Sequence, residues 1–434
     1  MSGVGESWGR YPRASGQTVL RLVDRDVTLP THTAPALPYG NGRSYGDSCL
    51  NSGGTLLHTR GLDRFIAFDP REGRLECEAG VLFSDILDYV VSQGWFLPAT
   101  PGTRFVTVGG AIANDVHGKN HHRAGTFGHH VESLVLQLTD GRRLQCSPSE
   151  HADLFYATIG GLGLTGVIVT AAFQLRRISS PWMATESRRF GQLTDFFTLS
   201  EESEKDYEYT VAWIDCTRTG KQLGRGIFSR ANHVPARREI RAAAQRPLTM
   251  PLTPPFSLVN PASLKAFNWL YYHKQRSAVI HDTVHYEPFF YPLDGIAHWN
   301  RMYGPSGFLQ YQCVIPPTGA YAVTSELLAT IARSGEGSFL AVLKQFGTRP
   351  SRGLLSFPRP GTTLALDFRN QGRKTLELLN RLDAIVDEAG GAVYPAKDAR
   401  MSAERFRRYF PAWQTFLAFR DPGLNSDFWR RVME

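Results

Sequence analysis

Cysteine is scarce in this sequence: five of its 434 residues are cysteines, and no two of them form a Cys-x-x-Cys pair. An odd number of widely spaced cysteines excludes a disulfide framework and a cysteine-based zinc or iron–sulfur site, and it indicates a reducing compartment. Runs of the ~18 apolar residues that a membrane-spanning helix needs are also missing. The first fourteen residues are polar and glycine-rich, without the apolar core of a secretory signal peptide. These absences predict a cytoplasmic protein.

Acidic residues are nearly missing from one long segment. Lysine and arginine exceed aspartate and glutamate by 48 − 40 = 8 in the whole chain, yet residues 218–276 alone hold eleven basic residues, one acid (Glu239) and six prolines. We predict a mobile surface segment outside the core secondary structure. It could be a solvated loop, a surface for anionic membranes or lipid phosphates, or a nucleic-acid surface. Because no nucleic-acid recognition motif accompanies the charge, we expect no nucleic-acid partner.

One glycine motif is misleading. Residues 161–166 satisfy the pattern G-x-G-x-x-G, which in nicotinamide-binding proteins follows a strand and opens a helix. Here a predicted helix at 149–159 precedes the motif and a predicted strand at 167–175 follows it. This reversed order excludes a nicotinamide-binding turn of that kind.

Two other glycine-rich blocks are better candidates for a phosphate cradle. Residues 40–47 read GNGRSYGD, and residues 98–128 include Gly102, Thr103, Gly109 and Gly110. Glycine tolerates the backbone angles that point successive N–H groups at one anion. Two such loops predict an elongated, phosphate-bearing cofactor held between them, and two ordinary surface loops are the alternative.

Polar residues in apolar surroundings mark further candidates. Five histidines at 117, 121, 122, 129 and 130 could form a zinc site or, with Lys119, line a pocket with hydrogen-bond donors. Glycines within this segment argue against the continuous helix that zinc spacing needs, so we predict no metal. Alternation places Gln310 and Gln312 on one face of a strand. Lys344 and Asp367 lie in apolar strand-like runs, where each could either reach solvent at the strand end or face a polar pocket. Lys397 follows a short strand, where a turn could project it into a cleft.

Taken together, these segments carry a family resemblance. The chain resembles the vanillyl-alcohol-oxidase-type flavoproteins, whose FAD-binding domain is of the PCMH type. The resemblance rests on GNGRSYGD (40–47), PGTRFVTVGGAIANDVHGKNHHRAGTFG (101–128), LFYATIGGLGLTG (154–166), YPLDGIAHWNRMYGPSGFLQYQCVIP (291–316), SFLAVLKQFG (338–347) and YPAKDAR (394–400). It implies an α+β fold with a two-subdomain FAD-binding domain at 1–178 and an α+β substrate-binding cap with an antiparallel sheet at 179–391. Residues 392–434 would return to the FAD-binding domain.

The resemblance also implies roles for individual residues. Many relatives attach the flavin covalently to a histidine where this sequence has Arg43, so non-covalent FAD is expected. Contacts to FAD are implied for Gly40, Asn41, Gly42, Arg43, Ser44, Tyr45, Gly46, Asp47, Ser48, Gly102, Thr107, Val108, Gly109, Gly110, Asn114, His117, Ile168 and Tyr394. Catalytic roles are implied for Lys397, Lys344, Tyr45 and His117, and substrate contacts for Lys119, Gln310, Gln312, Lys344, Asp367 and Lys397.

The segments are most similar to family members that oxidise the 2′-hydroxyl of a polyprenyl-phosphate-linked pentose, the first half of an epimerisation toward an arabinose donor for the cell wall. That activity implies a lipid-linked sugar phosphate as substrate, an NADH-dependent ketone reductase as partner, and peripheral contact with the inner face of the membrane. Three alternatives stay open: a soluble sugar, alditol or aldonolactone oxidase of the same family, a metal hydrolase using the histidines of 117–130, and a lipid-phosphate binder without redox activity.

Overall fold

The computed structural model describes residues 3–26, 29, 35–235 and 248–433. Helices and largely antiparallel sheets alternate along the chain, which confirms the predicted α+β class. The strands are β1 (Thr18–Arg21), β2 (Ala36–Tyr39), β3 (Thr55–His58), β4 (Phe65–Asp69), β5 (Arg74–Glu78), β6 (Trp95–Phe96), β7 (Val131–Gln137), β8 (Arg143–Cys146), β9 (Val167–Gln174), β10 (Arg176–Arg177), β11 (Trp182–Phe190), β12 (Tyr209–Ile214), β13 (Gly226–His233), β14 (Leu248–Thr249), β15 (Val279–His285), β16 (Ile296–Ala297), β17 (Phe308–Ile315), β18 (Val342–Phe346), β19 (Gly361–Arg369) and β20 (Ala392–Val393). The helices are α1 (Phe83–Val90), α2 (Val108–Ala113), α3 (His121–Ala124), α4 (Ala152–Thr158), α5 (Leu193–Ser203), α6 (Pro261–Lys274), α7 (Tyr286–Phe290), α8 (Ala320–Ser334), α9 (Arg373–Glu388), α10 (Ala403–Tyr409), α11 (Trp413–Leu417) and α12 (Asp427–Met433).

Two sheets build the amino-terminal part of the molecule. One is a parallel sheet of three strands in the order β1-β3-β2, and the other is an antiparallel sheet of five strands in the order β4-β5-β9-β7-β8. Helices α1 and α2 share one apolar core with the five-stranded sheet. Helix α4 precedes residues 161–166 and strand β9 follows them, as predicted. That order confirms the exclusion of a nicotinamide-binding turn.

An eight-stranded antiparallel sheet dominates the rest of the chain, in the order β15-β11-β13-β12-β18-β19-β17-β20. Helices α5, α8 and α9 pack on one face of it, because alternate residues of each strand are apolar and join their core. The opposite face carries polar side chains and positions the candidate site. Strand β20 extends this sheet from residue 392 onward, and the domain boundaries at 178 and 391 stay predictions.

The basic segment 218–276 is more regular than predicted. Strand β13 lies between β11 and β12 in the large sheet, and α6 is a helix of 14 residues. The prediction of a segment outside core secondary structure is therefore wrong for these two elements. Two of the arginines are buried with carboxylate partners: Arg225 lies 2.8 Å from Asp215, and Arg230 lies 2.8 Å from Glu186. Residues 236–247 lie outside the described residues, so the prediction of mobility stays untested there.

Candidate functional site

The two predicted glycine loops meet. The Asn41 amide donates to the Phe105 carbonyl at 2.7 Å, which ties the first loop to the second. A side chain at Gly40 would approach the Thr107 hydroxyl to 2.5 Å, so only glycine allows this contact. Within the described residues, the backbone amides of 41–44 and of 102–103 donate no hydrogen bond. The loops thus present free N–H groups side by side, an arrangement that binds anionic oxygens such as those of a diphosphate.

The backbone amides at the start of α2 already have hydrogen-bond acceptors within the chain, contrary to expectation. The Gly109 amide donates to the Ala79 carbonyl at 2.8 Å, the Val108 amide to Val81 at 2.9 Å, and the Gly110 amide to the Thr107 hydroxyl at 3.1 Å. The prediction that Gly109 and Gly110 add amide donors to a cradle is therefore wrong, because the chain itself already uses these amides. Contact of Thr107 to Gly110 with a cofactor through their other atoms stays a prediction.

Below α2, His117 lies among aromatic rings. Its Nε2 accepts a hydrogen bond of 2.9 Å from the Gln312 amide, so the neutral ring carries its proton on Nδ1. This buried Nδ1 has no hydrogen-bond partner among the described residues. Burial lowers the pKa of His117 well below its ordinary value, and Lys344 adds to the effect. The side chain is therefore a neutral donor aimed at a group that the chain does not supply.

Other predicted FAD contacts surround this point. The Tyr394 hydroxyl donates to the Asn114 carbonyl at 2.7 Å, and the Tyr394 ring stacks on Phe357 with centroids 4.6 Å apart. The ring of His117 lies 5.6 Å from that of Tyr394. Ile168 lies in β9 with 6% of its surface exposed. The structure thus brings Asn114, His117 and Tyr394 together.

The carboxyl-terminal segment closes the first loop from behind. A side chain at Gly46 would lie 1.6 Å from the Asp398 carbonyl oxygen, and the Tyr45 amide donates to the Ala396 carbonyl at 2.9 Å. The carboxylate of Asp47, a predicted cofactor contact, is bound by Arg431 of α12 at 2.7 and 2.9 Å. Asp47 therefore anchors the loop. Arg431 itself was not predicted, because 384 residues of sequence separate it from Asp47.

The structure also shows the surroundings of Arg43, Ser44 and Ser48 in the first loop. The guanidinium of Arg43 lies 4.1 Å from the ring centroid of Trp8, and the buried Arg43 Nε has no partner among the described residues. Burial lowers the pKa of Arg43. The Ser44 carbonyl accepts from the Trp8 amide at 2.8 Å, and the Ser48 hydroxyl is buried without a described partner. Free amides, the Ser48 hydroxyl and His117 Nδ1 together fit a large polar cofactor such as FAD.

The large sheet supplies the opposite wall. Registered pairs of β17, β18 and β19 place their polar residues on one face, away from the helices, and confirm that Gln310 and Gln312 share a face. The Gln310 amide donates to the Asp367 carboxylate at 2.7 Å. The Gln312 amide also lies 3.3 Å from the hydroxyl of Thr363. Thr363 was not predicted as a site residue, although alternation along β19 places it on the same face of the sheet as Asp367. Tyr303, in a 3-10 turn at Trp299–Tyr303, was also missed; its side chain lowers the pKa of Asp367, against the effect of burial.

Three lysines reach into this space. The Lys397 ammonium lies 3.8 Å from the centroid of the Tyr45 ring. The Lys344 ammonium lies 3.4 Å from the Gly118 carbonyl, and Lys119 donates to the Phe289 carbonyl with its nitrogen 4.5 Å from the Phe289 ring centroid. Within the described part of the chain, no carboxylate forms an ion pair with Lys119 or Lys344. Two partly buried lysines without a carboxylate partner indicate an anionic ligand, whose charge would favour their ammonium forms.

Burial changes the acid–base properties of these groups. It lowers the pKa of Lys397 to about 7 and that of Lys119 to about 7, with Lys344 pushing both further down, and it lowers the pKa of Lys344 to about 8. Burial raises the pKa of Asp367 to about 7, against the opposing effects of Gln310 and Lys397. The pKa of Tyr45 is raised well above its ordinary value, mainly by burial. Lys397 and Asp367 can therefore each gain or lose a proton near neutral pH.

The other four histidines of residues 117–130 lie within hydrogen-bond distance of backbone groups. His121 Nδ1 accepts from the Gly347 amide at 3.2 Å, and His129 Nδ1 accepts from the Thr126 amide at 3.0 Å. His122 and His130 each lie 3.0 Å from a backbone carbonyl, of Tyr207 and Ala124 respectively. Among the described residues no group of three histidine, cysteine, aspartate or glutamate side chains could hold a metal ion.

Known proteins are similar to this chain over different lengths. A family described as an FAD binding domain matches residues 28–147. Decaprenylphosphoryl-β-D-ribose oxidase of Mycolicibacterium smegmatis is 35% identical over 450 residues, which cover 98% of this chain and 96% of that protein. An uncharacterized protein from the mprA 5′ region of Streptomyces coelicolor is 32% identical over 80% of this chain and 98% of its own. L-gulonolactone oxidase of Mus musculus is 33% identical over 31% of this chain and 30% of its own.

Proposed function

This chain belongs to the family of FAD-dependent oxidoreductases that includes decaprenylphosphoryl-β-D-ribose oxidase, and on that premise we propose that it oxidises the 2′-hydroxyl of a polyprenyl-phosphate-linked pentose to a ketone. Membership confirms FAD as the cofactor and oxidation as the class of reaction. The specific substrate, and the role of the ketone as the halfway product of an epimerisation toward an arabinose donor, are our proposal.

The partly buried lysine pair Lys119 and Lys344, without a carboxylate partner among the described residues, is the observation that supports a phosphate-bearing substrate. Burial already lowers the pKa of Lys119 to about 7 and that of Lys344 to about 8, so a neutral sugar or lactone would give no help in holding either as an ammonium group. A phosphodiester between sugar and lipid supplies the missing negative charge. Lysine binds such phosphates as a point charge that does not depend on one orientation.

Lys397 is the proposed proton acceptor. Oxidising a secondary alcohol removes a hydride from the carbon and a proton from the oxygen, and FAD, when bound, supplies the acceptor for the hydride. A neutral Lys397 amine can take the proton because burial brings the pKa of Lys397 down to about 7. Asp367 stabilises the ammonium that then forms.

The amides and rings around Lys397 orient the reactants. Gln310 is fixed by Asp367, and Gln312 is fixed by His117 and Thr363, so both amides are held for contacts with sugar hydroxyls. His117 Nδ1 and Tyr394 lie together below α2, on the side proposed to face FAD. Arg43 cannot form the histidyl bond to flavin known in relatives, so we propose non-covalent FAD.

A keto-sugar product needs a second enzyme if the sugar is to be epimerised. The chain has no turn of the nicotinamide-binding kind at residues 161–166. We therefore propose an NADH-dependent ketone reductase as its partner, since such an enzyme returns a hydride to the opposite face of the same carbon.

Anaerobic reduction of the holoenzyme tests the proposal against its rival. Polyprenyl-phosphoryl-ribose should bleach the FAD absorbance within one turnover, whereas free ribose, alditols and aldonolactones should not. Bleaching by the free sugars or lactones, with none by the lipid-linked sugar, would instead establish a sugar or lactone oxidase. The Lys344→Met variant provides the internal check: it should weaken the response to the phosphorylated substrate while it retains bound FAD.

A further inference from the structure

Large apolar side chains are exposed in the segment that leads into helix α6 and within that helix. Between residues 248 and 270, five large apolar side chains have about half or more of their area exposed: Leu248 (72%), Leu252 (75%), Phe256 (68%), Trp269 (49%) and Leu270 (61%). We call these five side chains the apolar surface. So many exposed large apolar groups in one short stretch mark an interaction site.

Charge around the apolar surface has one sign. Residues 248–281 contain no aspartate or glutamate. Lys265, Lys274 and Arg276 in the same stretch are exposed, and none of them forms an ion pair with a described residue. Exposed tryptophan and leucine beside unpaired basic groups are typical of helices that lie in a membrane interface and bind anionic lipid.

The inner side of this surface is firmly held. In α6, Leu264 is buried in a third apolar core together with Val259, and fully buried Asn268 donates to Asp215 at 3.3 Å. Asp215 is fixed in turn by Arg225 at 2.8 Å. Trp269 and Leu270 are therefore displayed by a rigid support, because the opposite side of α6 is packed and hydrogen-bonded.

A series of contacts links the segment that carries the apolar surface to the candidate site. The Leu258 amide donates to the Met302 carbonyl at 2.8 Å, in the turn that ends with Tyr303. The ring of Tyr303 stacks on Phe308 with centroids 4.2 Å apart, and Phe308 lies 5.6 Å from Tyr45. The segment that carries the apolar surface is thus connected, through Tyr303 and Phe308, to Tyr45 of the candidate site.

We propose that the apolar surface inserts into the interface of an anionic bilayer, with Lys265, Lys274 and Arg276 among the headgroups. The proposal deepens the proposed function, since a lipid-linked substrate could keep its tail in the bilayer while its sugar reaches Lys397. Docking itself requires no substrate, so the two proposals can fail separately. Within the described residues no helix is long and apolar enough to cross a membrane, so the contact is peripheral.

Co-sedimentation of the holoenzyme with vesicles of equal parts phosphatidylcholine and phosphatidylglycerol tests the proposal without substrate. Trp269→Ser/Leu270→Ser and Leu252→Ser/Phe256→Ser should each lower partitioning at least about tenfold. The variant Lys265→Gln/Lys274→Gln/Arg276→Gln should lower it about fivefold for each charge removed, and pure phosphatidylcholine should give a comparable loss for the wild type.

The matched control is Phe65→Ser/Ile66→Ser, which removes two exposed apolar side chains of β4. It should sediment with vesicles as the wild type does, and retained FAD absorbance shows that every variant is folded. Equal partitioning of the control and the two apolar-surface variants would overturn the proposal, as would absence of vesicle binding by the wild type. A dimer in light scattering that the apolar-surface variants dissociate would also overturn it, because the surface would then bind a second copy.

Discussion

Removing the charge of Asp367 should shift the pH dependence of flavin reduction. Lys397 must be neutral to accept a proton, and its pKa lies at about 7 against an ordinary 10.5. At ~1.36 kcal/mol per pH unit, this lowering of the pKa means that the protein disfavours the Lys397 ammonium by about 5 kcal/mol relative to water. Asp367 opposes that shift because its carboxylate favours the ammonium. In Asp367→Asn we expect the pKa of Lys397 to fall further, by about one unit, as is usual when a nearby opposite charge is lost.

The direction of the effect follows from the protonation state. In the wild type, the rate of anaerobic reduction should fall about tenfold per unit as the pH drops below 7, because the amine becomes protonated. In Asp367→Asn this decline should begin about one unit lower, so the variant retains a larger share of its maximal rate at pH 6. Stopped-flow absorbance at the flavin band, at saturating substrate from pH 5 to 9, measures both profiles.

Two results would refute the reasoning. The first is an Asp367→Asn profile that coincides with the wild-type profile, and the second is a displacement toward higher pH. Glu377→Gln is the control, since Glu377 pairs with exposed Arg373 on α9 and its charge loss should leave the profile unchanged. Lys397→Met should abolish the pH-dependent phase altogether and reduce the rate by ~100-fold or more.

Three further predictions address the cradle, its anchor and the buried lysines. Gly46→Ala should yield protein that loses FAD on gel filtration, because the new methyl group would lie 1.6 Å from the Asp398 carbonyl, whereas Gly191→Ala, with open space around it, should retain FAD. Arg431→Met should lower the free energy of unfolding in urea by about 3 kcal/mol, since it leaves the buried Asp47 unpaired, and an effect as small as that of Arg408→Met at the surface would contradict this. Lys119→Met should be more stable than the wild type at pH 7, and this advantage should shrink toward pH 10. The pKa of Lys119 is about 7 in the folded wild type and 10.5 in the unfolded chain. Between pH 7 and pH 10 the unfolded chain therefore binds more protons, and the free energy of unfolding of the wild type increases as the pH rises. A stability difference in favour of Lys119→Met that grows with pH in urea titrations would contradict the assignment.

Local pattern predicted much of the fold and the composition of the site. The order of α4 and β9 around residues 161–166 followed from apolar periodicity, and alternation along β17 placed both glutamines on one face. The glycine loops were recognisable because glycine is required where another backbone approaches closely, as Gly46 and the Asp398 carbonyl show.

Pairings across long sequence distances could not be predicted in the same way. Arg431 and Asp47 meet only because α12 packs back on the first loop, and a single sequence carries no signal for that contact. Strand β13 was missed because Arg225 and Arg230 look like surface residues until Asp215 and Glu186 are placed beside them. The amides of Gly109 and Gly110 looked available until Ala79 and Thr107 were in position.

The most direct measurement of the central claim is the isotope effect on flavin reduction with site-specifically deuterated polyprenyl-phosphoryl-ribose. Deuterium at carbon 2 of the pentose should slow anaerobic bleaching of the FAD several-fold, and deuterium at carbon 1 or carbon 3 should leave the rate unchanged. An isotope effect at another ring carbon, or bleaching that is insensitive to deuterium at carbon 2 while chemistry limits the rate, would contradict oxidation of the 2′-hydroxyl.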